Sequence, residues 1–96
     1  MSPEVVAERA VTYVSDVPLH ARPAAVFMDR VKRFKARVTV AVEGGDKPPA
    51  DARSLMRLMA LSITKGTRVV IRAVGEDAET AVAALTGLIE RDFRDP

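Results

Sequence analysis

The chain has 96 residues, 48% of them hydrophobic, which is enough for one buried core and too apolar for a disordered chain. Its 15 basic and 13 acidic residues leave a net charge of +2, and aromatics are 4% of the chain, so it offers neither a basic nucleic-acid footprint nor a base-stacking platform. With no cysteine and one histidine, disulfides, thiolate metal sites and multi-histidine metal sites are excluded, and no cofactor is indicated.

Glu8 to Val14 predicts the first strand, with Ala10, Thr12 and Val14 alternating against Val11 and Tyr13. Ser15-Asp16-Val17-Pro18 reads as a loop. A helix follows from Ala21 to about Phe34, with Ala24, Phe27, Met28 and Val31 at helical spacing and Pro23 in the first turn, where a missing N–H costs little. Arg37 to Val42 alternates cleanly and predicts the second strand. Glu43-Gly44-Gly45-Asp46-Lys47-Pro48-Pro49 is turn chemistry, and a brief edge strand is expected at Ala50 to Ala52.

Ser54 is suited to cap a short helix, Leu55 to about Leu61. Leu55, Leu58 and Leu61 are expected in the core, and Met56 and Met59 on a neighbouring face. Lys65-Gly66 turns the chain into a fourth strand, Arg68 to Val74. Gly75-Glu76-Asp77 leads into the last helix, where Ala78, Val82, Leu85 and Ile89 form an apolar stripe. The order is βαββαβα. It predicts an open-faced α/β sandwich, with a four-stranded antiparallel sheet and three helices on one face.

The single histidine lies in Pro18-Leu19-His20-Ala21-Arg22-Pro23-Ala24-Ala25, at the junction between the first strand and the first helix. At a helix start the backbone N–H groups lack intrahelical partners, and with the positive end of the dipole they suit an anion. A neutral imidazole nitrogen can attack phosphorus, and the phosphoramidate it forms is labile enough to pass the group on. The amides of Ala21, Arg22 and Ala24 are expected to face phosphoryl oxygens, and the Arg22 guanidinium can add a charge-assisted contact. The chain lacks a phosphate-binding glycine loop, so use of ATP is not expected.

These residues resemble the signature Leu/Ile-His-x-Arg-Pro-Ala of the HPr family, the histidine-containing phosphocarriers of the phosphoenolpyruvate-dependent sugar phosphotransferase system. Leu19 to Ala24 match it. Ser54-Leu55-Met56-Arg57-Leu58-Met59-Ala60-Leu61 resembles the family's regulatory-serine helix. Thr64-Lys65-Gly66-Thr67 through Gly75-Glu76-Asp77 is a looser match. The resemblance implies one HPr-like phosphocarrier domain over residues 1–96. It implies that His20 accepts phosphate on Nδ1 from enzyme I and yields it to EIIA domains, with Arg22 stabilising the phosphate. It also implies that Ser54 is the regulatory phosphorylation position, served in some lineages by an HPr kinase/phosphorylase. Leu55, Met56, Arg57 and Met59 would then belong to the partner-docking patch.

The chain departs from the family in three places. Pro18 stands where the family usually has glycine, and proline forbids the φ > 0 that glycine allows. Ser62 stands where glycine is common, which bears on how the short helix ends. The hairpin around Gly44 to Pro49 is a few residues longer than usual. The expected function is a carrier, not a self-sufficient enzyme. The alternative is a regulatory relative that binds a transcriptional regulator or an enzyme in a phosphorylation-dependent way. No apolar run reaches membrane-span length and the first residues lack a signal peptide's apolar stretch, so a cytoplasmic protein without membrane insertion is expected; with no sign of oligomerisation in the sequence, a monomer is the default.

Overall fold

A computed structural model describes residues 5–94. Four strands form one antiparallel sheet in the order β1-β4-β2-β3, where β1 is Val6–Thr12, β2 Arg37–Val42, β3 Ala50–Asp51 and β4 Arg68–Val74. Helices α1 (Ala21–Val31), α2 (Leu55–Ala60) and α3 (Ala78–Glu90) complete the βαββαβα order of an open-faced α/β sandwich. Among the described residues, no helix is long and apolar enough to cross a membrane.

The pleat sorts the strand residues. Val11 pairs with Val69, Arg9 with Ile71 and Val40 with Ile71. Val11, Val38, Val40, Val69, Ile71 and Ala73 are therefore aligned on one face, where they are buried. Against them pack Ala24, Phe27 and Val31 of α1, Leu58 of α2, and Ala78, Ala81, Val82, Leu85, Leu88 and Ile89 of α3. The other face carries Glu8, Thr12, Arg68, Arg72 and Arg37, all exposed to solvent.

Strands β2 and β4 and the starts of all three helices lie where the sequence pattern puts them. Strand β1 is displaced towards the N-terminus, because its ladder with β4 closes at Thr12 and Arg68. Tyr13 then joins the 64–67 turn instead: its N–H donates to Thr67 O (2.9 Å) and its carbonyl accepts from Gly66 N (2.8 Å). Helix α1 stops at Val31 rather than near Phe34. The amides of Arg33 and Phe34 bond three residues back, to Arg30 and Val31, tightening the last turn. Helix α2 ends through Ser62, whose φ of 55° is left-handed despite the side chain.

Helix α3 ends in a Schellman motif. The Phe93 amide bonds the Leu88 carbonyl at 2.8 Å, and the Asp92 amide bonds the Ile89 carbonyl at 3.1 Å, with Asp92 at φ 55°. Phe93 is thereby turned back onto Tyr13, ring centroids 5.8 Å apart. Phe93, just after α3, thus lies beside the loop that precedes His20.

Candidate functional site

The approach to His20 is held from several sides. The Leu19 amide donates to Ile63 O at 2.9 Å, tying the loop to the segment just after α2, and Leu19 is buried. The His20 amide donates to Pro18 O at 2.7 Å. Lys65 Nζ meets Asp16 Oδ1 at 2.8 Å, and this contact holds the Asp16 carboxyl below its ordinary value. Both partners are well exposed, so this pair contributes little to stability.

His20 is the N-cap of α1, in extended backbone, and its ring makes no capping hydrogen bond. It is exposed, as is Arg22. The proline at position 18 is accommodated without any left-handed residue between Val14 and Ala21. The first turn leaves the amides of Ala21 and Arg22 without backbone acceptors, and Pro23 has none to offer. Ala24 is a correction to the sequence reading. Its amide donates to His20 O at 2.9 Å, making the first intrahelical bond, so it is not free for an anion. Counting from the cap, Ala24 is the fourth helical residue, and the orphan donors end one residue before it.

Arg22 and Pro23 line an open cleft of about 550 Å³, with Val17, Val26, Asp92 and Phe93 among the residues around it. Arg22 forms no ion pair among the described residues, so its guanidinium is uncommitted. An imidazole, two free amides and an uncommitted guanidinium at one helix start can receive a phosphoryl group.

Ser54 Oγ accepts the Arg57 amide at 3.2 Å, so the serine is a working N-cap. Of the four residues expected to dock partners, Met56 is 82% exposed and Arg57 is exposed. Leu55 and Met59 are half-buried against the core, which the sequence pattern does not separate from docking residues. A spacing of three turns each successive leucine by about 300°, so Leu55 rotates away from Leu58 and Leu61 towards the side it shares with Met59. Tyr13 and Phe93, which support the His20 loop, carried no motif that would reveal them.

The family described as "PTS HPr component phosphorylation site" matches residues 7–91. The phosphocarrier protein HPr of Vibrio cholerae is 39% identical over 84 residues, covering 88% of this chain and 95% of that protein. The multiphosphoryl transfer protein of Salmonella typhimurium is 43% identical over 67 residues, 70% of this chain, and the match spans only 18% of that longer protein. The crystal structure of HPr-C-His from Thermoanaerobacter tengcongensis superposes with a TM-score of 0.83 at 33% identity, covering 94% of this chain and 98% of that one. The chain belongs to the HPr family, the phosphocarriers of the phosphotransferase system.

Proposed function

We propose that this protein carries phosphate on His20, taking it from enzyme I and passing it to EIIA domains. The observation that carries this reading is the placement of His20: exposed, at the helix cap, its ring free of capping bonds and two residues from an unpaired arginine. On loading, one ring nitrogen lends its lone pair to phosphorus as the bond from phosphorus to the donor breaks. The donor atom keeps that electron pair, and the second half-reaction reverses the sense. Arg22 and the amides of Ala21 and Arg22 hold the phosphoryl oxygens while the group is resident. Phosphoryl donation and the rest of the transition-state machinery belong to the partners. The match to part of a protein named for multiple phosphoryl transfers supports partners drawn from the same system.

The carrier acts as a cytoplasmic monomer, docking through Met56, Arg57 and the rim of the His20 loop. Ser54 serves as a regulatory position, where a phosphate from an HPr kinase/phosphorylase would add negative charge beside that surface. A transcriptional regulator is the partner such a change would select for or against.

The test is incubation with phosphoenolpyruvate and enzyme I, followed by mapping of the acid-labile phosphate. Label on His20 in the native protein, and none in a folded His20→Ala variant, is the expected result. Label persisting in His20→Ala would overturn the assignment.

A further inference from the structure

The segment from Tyr13 to His20 must turn a strand into a helix, and it contains no glycine. Its polar groups are secured from inside the molecule. Tyr13 is fully buried, and its hydroxyl donates to the Val17 carbonyl at 2.8 Å. The Val17 amide donates to the Ser15 hydroxyl at 3.1 Å, and Ser15 is buried as well. Both polar groups of Val17 are thus fixed by side chains, although Val17 itself is 55% exposed. The Val17 carbonyl belongs to the peptide that bears Pro18, and the Pro18 carbonyl accepts the His20 amide at 2.7 Å. One short chain of bonds therefore runs from the phenol to the backbone of the histidine.

The phenol is itself held in place. Its ring packs on Phe93 at 5.8 Å and 57° between planes, and Phe93 is set by the Schellman end of α3. Burial pushes the Tyr13 hydroxyl up to about 12, partly offset by Ser15, so at neutral pH it remains a donor. A buried hydroxyl needs some partner, and a nearby helix carbonyl would satisfy it equally well. The partner here is the one carbonyl that orients the peptide entering Pro18.

We propose that Tyr13 is a positioning residue for phosphoryl transfer at His20, its hydroxyl fixing, through the Val17–Pro18 peptide, the backbone from which the imidazole projects. This rests on the carrier reading above. The phenol is buried and touches no partner itself, so loss of the hydroxyl is expected to alter the geometry of attack more than the association of partners. A misplacement well below 1 Å at the nucleophile is enough to slow transfer about tenfold.

Tyr13→Phe keeps the ring and its packing on Phe93 and removes only the donor. With enzyme I as phosphoryl donor, it is expected to lower kcat about tenfold while KM stays within about twofold. The imidazole signals of His20, the only histidine, should shift in the NMR spectrum, while amide signals of α3 stay in place. Ser15→Ala, which releases the other side of Val17, should lower kcat about threefold in the same way. It decides the matter should Tyr13→Phe fail to fold. An unchanged kcat, a rise in KM alone, or unmoved His20 signals would overturn the proposal. If the native protein accepts no phosphate, the carrier reading falls, and the His20 signals of Tyr13→Phe still decide whether the phenol positions the ring.

Discussion

At the scale of single residues, Arg22 is the group whose freedom matters most. The two carboxylates that share its cleft are Asp16 and Asp92, and Asp16 is already engaged by Lys65. No ion pair joins Arg22 to either carboxylate among the described residues, so in the proposed carrier role it has no competing partner to leave when a phosphoryl group arrives. A hydrogen bond to a charged group is worth about 1.5–3 kcal/mol, and about 1.4 kcal/mol changes a rate tenfold. Arg22→Ala is therefore expected to slow phosphoryl acceptance by about 10- to 100-fold without unfolding the protein, because the side chain is exposed. Rapid-quench transfer kinetics measure this, and an unchanged rate would remove Arg22 from the site. The placement of His20 and Arg22 at an exposed helix start was legible because they sit within one contiguous string. The Tyr13–Phe93 contact was not, since the two residues lie far apart in sequence and meet only once β1 and α3 have packed together. Ala24 shows a finer limit: composition marks a helix start, but only the cap position says which amides remain free.

At the scale of elements, the ends carry more information than the middles. Strands β2 and β4 follow their apolar alternation to the residue. Strand β1 does not, because alternation continues through Tyr13 and Val14 after pairing with β4 has stopped. Periodicity reports which face a residue would take, whereas the ladder depends on a partner that lies far away in sequence. Helix α2 shows the same at its close. Ser62 adopts φ 55°, a conformation that glycine reaches without steric conflict and that disfavours other L residues by about 1–2 kcal/mol. The helix thus ends as a glycine would end it, with a residue less suited to the task. Ser62→Gly is expected to raise stability by about 1 kcal/mol, after the greater unfolded-state freedom of glycine offsets part of the gain. Urea unfolding would show it as a higher midpoint at constant slope. A lower midpoint would mean that the Ser62 side chain stabilises the turn more than its backbone strain destabilises it.

At the scale of the whole molecule, the sheet order β1-β4-β2-β3 puts the last strand in the centre, so β1 and β2 both depend on it. The element types imply one antiparallel sheet. They do not imply that order, which follows from how the helices cross the layer. One residue ties the layers together at the end of the sheet remote from the 64–67 turn. Asp77 caps α3 by position, yet its carboxylate reaches the α1–β2 connection, accepting the amides of Lys35 at 2.9 Å and Ala36 at 2.8 Å. Gly75, two residues earlier, lies so close to Ala36 that an added Cβ would stand 2.9 Å from its Cα. The two contacts clamp the start of β2 to the end of β4. The Lys35 amide is the largest influence holding the Asp77 carboxyl below its ordinary 3.8. A carboxyl depressed on folding stabilises the native state above its unfolded value, and that contribution is lost as pH falls through the lower folded value. Asp77→Ala should therefore lower the thermal midpoint at neutral pH, where the carboxylate is charged. As pH drops below about 3.8 the native protein should lose the same contribution, and the two midpoints should converge. Melting curves of both proteins across that range measure the gap, and a gap that stayed constant would show that the clamp does not depend on the charge of Asp77.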